Sequence, residues 1–402
     1  MMHVVRMMIR IEAAFVIAVV IAVVVAGVLT PWPIAAAAPA EPGGETESGF
    51  LRATGVDVGL VYRSWSVEPD EGENFHLNQF VIPIHVHSLL RDNIDFSYFL
   101  DVADSALDLG PSEENRLSGV TDGKLSLNYY FPNRHYSAGL GLRLPTGESK
   151  LEPEEETVAR QLAERIFGFR VKRYGEGTDV EARGGYVTAL GNATVSAGAS
   201  YLVKGDFQIL SAVDGSENTY EPGNEFSVLA TARGRAWERD CLGQVRVTTF
   251  QADRRDGEKE LQEGTEIGLR LRARDERLAG VIEIEADALW KGDTDVVSAG
   301  NLPPSRDVGG SIFRLGGIFR GQVDRLTELS GRSGVSWYGE TERGVGDGFL
   351  IELGPGLRRK LGADVGLGLS YTLFVGNAEN GTTHLTGHDV TFTLGLGPQA
   401  GP

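Results

Sequence analysis

Residues 266–290 read EIGLRLRARDERLAGVIEIEADALW. Every second side chain is apolar, through Ile267, Leu269 and Leu271, then Ile282, Ile284, Ala286, Ala288 and Trp290. Between them stand Glu266, Arg270, Arg272 and Arg274, then Glu283, Glu285 and Asp287. Successive side chains of a strand point to opposite faces, so this stretch predicts two strands, each with one greasy and one charged side. Asp275-Glu276-Arg277 supplies the turn that joins them. Burying that many charges in a dry core would be prohibitive, so the charged side faces water and the greasy side needs hydrocarbon.

The same texture runs through the chain. Val56, Val58, Leu60 and Tyr62 alternate with Asp57, Gly59, Val61 and Arg63. Val365, Leu367, Leu369, Tyr371 and Leu373 alternate with Asp364, Gly366, Gly368 and Ser370. Sixteen such segments begin near residues 53, 75, 93, 121, 135, 178, 193, 224, 241, 263, 278, 310, 325, 347, 362 and 385. Many exceed the five or six residues of an average soluble strand and reach the roughly nine to eleven that a tilted strand needs to cross a bilayer.

Connectors alternate in length. Short turns fall at Arg91-Asp92, Pro132-Asn133-Arg134, Gly191-Asn192, Glu238-Arg239, Asp275-Glu276-Arg277, Gln322-Val323-Asp324 and near Gly362. Polar connectors, several of them long, occupy 66–74, 104–119, 146–177, 205–222, 252–262, 291–309, 340–347 and 376–387. Short periplasmic turns and longer external loops are the rule for outer-membrane barrels. The expected fold is all-β: a closed antiparallel transmembrane barrel of about 16 strands, with 14 as the alternative, and one loop helix near 155–168. A soluble sandwich or solenoid is the competing class, but no fixed repeat of 20–50 residues marks a solenoid.

The N-terminus carries Arg6 and Arg10, an apolar run from Ala13 to Leu29, and Ala38-Pro39-Ala40. That order predicts a signal peptide over 1–40, with an uncleaved anchor helix as the competing assignment. Residues 41–50 then form a short periplasmic segment, 51–397 the barrel and 398–402 a tail. Removing Arg6, Arg10 and Glu12 leaves 36 basic and 55 acidic residues, a net charge of −19. Such a chain lacks the cationic face that nucleic acid requires. Cys241 is the only cysteine, so no internal disulfide holds an exported fold together.

The water-facing sides carry Arg63, Arg143, Arg183, Arg233, Arg235, Arg246, Glu266, Arg270, Arg272, Arg274, Glu283, Glu285, Asp287, Arg314 and Arg320. Sixteen strands enclose an aqueous lumen, and this set is its expected lining. Opposed charge rows can select solutes by charge or dipole; the plainer role is cross-strand pairing. Trp65, Trp237, Trp290 and Trp337 lie at or near strand ends, where interfacial aromatic girdles form. In the 146–177 connector, Val158, Leu162 and Ile166 share a helical face. This loop either folds into the barrel as a constriction, with acidic Glu152, Glu154, Glu155 and Glu156 toward the arginines, or lies outside as an exposed cap. His85 and His87 share a strand face but no third ligand is identifiable, so no metal is assigned. Asp293 and Asp295 form a weaker calcium candidate.

Gly123-Lys124-Leu125-Ser126-Leu127-Asn128-Tyr129-Tyr130, then Leu144-Pro145-Thr146-Gly147, then Gly198-Ala199-Ser200-Tyr201 and Tyr220-Glu221-Pro222-Gly223-Asn224 resemble the outer-membrane family named after the meta-pathway of phenol degradation, a relative of the FadL-type transporters. The resemblance spans roughly a quarter of the chain and implies uptake of small, often hydrophobic or aromatic molecules. FadL-type barrels look like fourteen strands with an N-terminal plug, whereas Glu41–Leu51 is too short to plug a lumen here. The C-terminus also departs from an aromatic ending, with Phe392 as a stand-in.

Neither a G-x-S-x-G elbow, an H-E-x-x-H pair nor a P-loop occurs, so no enzyme and no cofactor are expected. The expected partners are outer-membrane lipid, a small solute and the barrel-assembly machinery, with monomer and homotrimer both open. The expected role is a channel or transporter; a structural or adhesive barrel whose loops bind a partner is the alternative.

Overall fold

The computed structural model describes residues 54–397 apart from 111–112, 173, 211–216, 237, 279, 297–309, 342–345 and 363. The signal peptide, the 41–50 segment, the 398–402 tail and Trp237 lie outside the described residues. Sixteen strands among the described residues form one closed antiparallel sheet. They are β1 (Thr54–Pro69), β2 (Phe75–Arg91), β3 (Ile94–Gly110), β4 (Glu113–Val120, resuming as Gly123–Tyr130), β5 (Tyr136–Leu144), β6 (Asp179–Leu190), β7 (Ala193–Val203) and β8 (Glu225–Ala236). Then follow β9 (Arg239–Phe250), β10 (Glu266–Leu278), β11 (Gly280–Lys291), β12 (Ile312–Gln322), β13 (Thr327–Tyr338), β14 (Gly348–Lys360), β15 (Val365–Ala378) and β16 (Thr383–Leu396). Each strand pairs with its sequence neighbour, and β16 returns to β1 from Val56↔Leu396 to Pro69↔Thr383.

Register puts the alternation to use. Arg270 lies opposite Asp287, Arg272 opposite Glu285 and Arg274 opposite Glu283, so the charged residues share one face. The apolar set faces outward and stays exposed: Leu140 is 59% accessible, Ile284 54% and Leu353 62%. That much greasy surface on a water-soluble monomer would be an aggregation hazard. A closed sheet satisfies its own backbone, and its apolar exterior suits hydrocarbon, so this is the fold of an outer-membrane barrel. No helix among the described residues is long and apolar enough to cross a membrane.

Four of the predicted loops carry strands of their own. Residues 104–119 belong largely to a β3–β4 hairpin that continues past the apolar band, pairing up to Gly110↔Glu113. There the alternation inverts: Ala103, Leu107 and Leu117 point in and are buried, while Asp104, Glu114 and Arg116 point out and pair with one another. A stretch whose outer face meets water shows polar residues where a lipid-facing strand shows apolar ones, and it reads as loop. Connectors 205–222, 252–262 and 291–309 contribute a separate five-stranded sheet of Phe207–Leu210, Glu217–Glu221, Asp253–Arg255, Glu258–Gln262 and Asp295–Val296. Tyr220 and Leu261 are fully buried in it, and Tyr220 donates its hydroxyl to Asp253. Asp295 is ion-paired with Lys259 at 2.7 Å, which gives it a partner other than calcium.

Candidate functional site

The 146–177 connector folds into the barrel. Its course is set by a bulge in β4. Val102↔Val120 and Phe99↔Lys124 differ in register by one residue, which leaves one extra at Thr121–Asp122. The bulge aims the Asp122 carboxylate inward. One of its oxygens accepts the Gly147 N–H at 2.9 Å and the other the Glu176 N–H at 2.8 Å, so a single side chain holds both feet of the loop. In the Leu144-Pro145-Thr146-Gly147 turn, the Thr146 hydroxyl donates to Thr121 O at 2.7 Å and accepts from Gly123 N at 2.9 Å. A Cβ on Gly147 would stand 1.6 Å from Tyr174 O, so the two feet pass at a distance only glycine permits.

Between the feet lies α1 (Pro153–Ala163), the one α-helix among the described residues. Glu152 and Glu155 close a capping box at its start, so these two acids are used locally rather than against the arginine wall. Its face of Val158, Ala159, Leu162 and Ala163 is buried, followed by Ile166, Phe167, Phe169 and Val171. The wall residues of this core include Trp65, Leu77, Leu107, Leu117, Tyr338, Leu350, Phe374 and Leu385, inward-facing members of β1–β4 and β13–β16. Each such large side chain contributes about 1.5–3 kcal/mol when fully buried.

Polar contacts fix the docked loop. Trp65 donates its indole N–H to Phe167 O at 2.9 Å, and Arg63 reaches Phe167 O and Gly168 O while pairing with Asp389 at 2.8 Å. The Gln79 amide donates to Val171 O at 2.7 Å and accepts from Val171 N at 3.0 Å. Arg170 meets Asp101 at 3.1 Å. The Tyr174 hydroxyl donates to Leu117 O at 3.1 Å, and burial pushes this phenol well above the ordinary tyrosine range. Across the lumen, Arg165 meets Glu266 at 2.8 Å and Gly310 O at 3.2 Å.

Trp65 therefore does not belong to an aromatic girdle: it is 1% exposed, on the inward face, packed between Phe167 and Phe374. Although Trp65 lies near a strand end, β1 runs on to Pro69 beyond the apolar band, so that end is not at the membrane interface. Trp290 and Trp337 are on the outer face, 52% and 43% exposed, with Trp337 between Phe313 and Phe349.

The remaining charges sort into three groups. On β10–β12 stands a ladder: Arg270 meets Asp287 at 2.6 Å and Glu285 at 3.2 Å, Arg272 meets Glu285 at 3.0 Å and Glu283 at 3.3 Å, and Arg320 meets Glu283 at 3.7 Å. Arg274 turns to Glu276 at 2.8 Å, and Arg314 donates to Ser336 at 3.0 Å. Near the loop's foot, Arg143 joins Asp179 at 2.9 Å and Glu176 at 3.1 Å. Elsewhere, Arg183 contacts Ser126 and Glu181, Arg246 contacts Ser227 at 3.2 Å, and Arg233 and exposed Arg235 share the inner face of β8. Arg332–Glu352, at 3.9 Å, adds a lumen pair that the alternation alone did not single out.

At the short-turn end the lumen holds a cavity of about 480 Å³, lined in part by Asp57, His87, Arg320, Glu328, Arg358 and Thr391. The barrel thus brings an open cavity, fixed opposed charges and a docked loop into one interior.

No protein-family model matches the sequence, and no curated protein matches it. Among solved structures, the chain is similar to Pseudomonas putida OprB at high pH, with 10% identity over 84% of this chain and 94% of that one, and a TM-score of 0.46. It is similar to the outer membrane protein OpdK from Pseudomonas aeruginosa, with 10% identity over 87% and 100% and a TM-score of 0.44. A deletion mutant of TodX, described as a monoaromatic hydrocarbon channel, matches at 8% identity over 86% and 90% with a TM-score of 0.43.

Proposed function

We propose that this chain is an outer-membrane channel that passes small hydrated solutes through an off-centre opening between the docked loop and the charged wall of β8–β12. The observation that carries the proposal is the asymmetry of the loop's seat. Its buried apolar wall partners come from β1–β4 and β13–β16, whereas the arginines stand on β8–β12 with the acid row on β11, and the loop reaches that wall through Arg165 on Glu266 and the edge of Ile312. A hydrated solute passing there meets alternating fixed charges, which favour dipolar or charged cargo over bulk hydrocarbon. Aromatic compounds, as the meta-pathway resemblance implies, fit only where a polar substituent can engage those rows. Trp290 and Trp337 anchor the exterior at the membrane interface in this scheme, and residues 1–40 direct export to the assembly machinery. Planar-bilayer conductance with solute-flux measurements on the folded barrel tests the proposal; a folded barrel carrying neither current nor solute overturns it.

A second role draws on the five-stranded sheet assembled from three loops, which offers a rigid external surface for a partner. This role predicts a folded barrel that stays electrically silent and captures a partner on that sheet.

A further inference from the structure

The first hairpin of the barrel brings together three side chains that no sequence spacing joins. His85 and His87 alternate on the inner face of β2, with ring centroids 5.5 Å apart. Asp57 on β1 is the register partner of His85, and Gly55 is the partner of His87. One oxygen of Asp57, Oδ2, stands 3.8 Å from Nδ1 of His85 and 3.8 Å from Nδ1 of His87. Ligating atoms of the three residues all lie within 4.8 Å of one another.

Two features make this more than a chance cluster of polar groups. His87 Nδ1 is buried and has no hydrogen-bond partner, an expensive state for a ring nitrogen. Opposite it, a Cβ on Gly55 would lie 2.3 Å from the imidazole, so the position across the ladder is kept empty for the ring. The arrangement holds an unsatisfied nitrogen beside a second imidazole and a carboxylate, at the edge of the lumen cavity that Asp57 and His87 line.

We infer that Asp57, His85 and His87 bind a divalent transition-metal ion of the zinc type on the lumen wall. Two imidazoles and one carboxylate suit Zn²⁺, Ni²⁺ or Cu²⁺, whereas Ca²⁺ and Mg²⁺ prefer all-oxygen sets. Tetrahedral metal–ligand bonds of about 2.0–2.2 Å set donors about 3.3–3.6 Å apart, so the two 3.8 Å contacts to Asp57 close by a few tenths of an ångström, and donors that now stand up to 4.8 Å apart close by about 1 Å through side-chain rotation. The cavity leaves the fourth position to water. The bound ion ties β1 to β2 beside the β1–β16 seam and adds positive charge to the short-turn end of the lumen.

The test uses the full folded barrel in detergent and Zn²⁺ as the probe, with folding checked by heat-modifiable gel mobility. Calorimetric titration is expected to show one saturable site, weakened about tenfold or more by His85→Ala or His87→Ala and less by Asp57→Asn. His135→Ala, at a short turn, leaves it unchanged. In wild-type protein, where no variant has to fold, Zn²⁺ is expected to shield His85 and His87 from diethyl pyrocarbonate while His135 stays reactive. Saturable binding that survives the His85→Ala/His87→Ala double variant, no saturable binding at all, or equal labelling of the two histidines with and without Zn²⁺ overturns the site.

Discussion

Replacing Asp122 should release the loop from the lumen. Its carboxylate is 5% exposed and accepts two backbone N–H groups, from Gly147 and Glu176, at 2.9 and 2.8 Å. Hydrogen bonds to a charged group are worth about 1.5–3 kcal/mol each, so Asp122→Ala removes about 3–6 kcal/mol from docking. At about 1.4 kcal/mol per factor of ten, the docked-to-released ratio falls by about 10²–10⁴. Asp122→Asn keeps one acceptor oxygen and turns an amide NH₂ toward the other N–H, so about half that loss is expected. Single-channel recording reads the result: the alanine variant shows a larger, noisier open level, and the asparagine variant falls between it and wild type. If all three folded proteins give superimposable conductance and noise, the loop does not constrict the pore, and the clasp assigned to Asp122 is wrong.

Gly147→Ala should act in the same direction, because its Cβ would overlap Tyr174 O; gel mobility separates a lost loop seat from a lost barrel. Arg165→Ala should raise conductance and shift the reversal potential toward cations, since it strips the partner from Glu266 across the lumen. For single-tryptophan variants in brominated lipid, Trp290 and Trp337 should be quenched strongly and Trp65 little; strong quenching of Trp65 would return it to the exterior. Burial raises the Tyr174 phenol above its ordinary value near 10. Below pH 10 it is neutral whether the loop is docked or released, and docking is intact. Above that value only the released phenol ionises freely, so docking weakens as pH rises, and open-channel noise should climb in wild type more steeply than in Tyr174→Phe.

The barrel was largely legible in the sequence because its information is one-dimensional. Period-two alternation and the spacing of turns locate every strand of the sheet, and observed starts such as Phe75, Ala193 and Gly348 fall within a residue of those expected. What escaped depends on the third dimension. The extra residue at Thr121–Asp122 shifts β4's inward face from odd to even positions, and no composition signal marks it. Trp65 sits on the same face as Arg63, visible in the alternation, but only the docked Phe167 explains why an indole belongs there. The charge rows are placed by parity alone, while their mates depend on shear between strands. That is also why Asp57, plainly on the polar face of β1, could not be matched to His85 and His87 beforehand. The Val158-Leu162-Ile166 stripe announced a helix without revealing which wall it covers.

The seam between β1 and β16 carries a cost in time. Thr383 and Pro69 are register partners separated by most of the described chain, so the ring cannot shut until its final segment has been delivered. Until then every partly assembled sheet exposes two unpaired edges, and ordering from the N-terminus gives no way to hide them. Strand-by-strand growth in free solution would be slow and prone to association between chains. The slowest and most exposed moment of folding is therefore the one before the last strand meets the first.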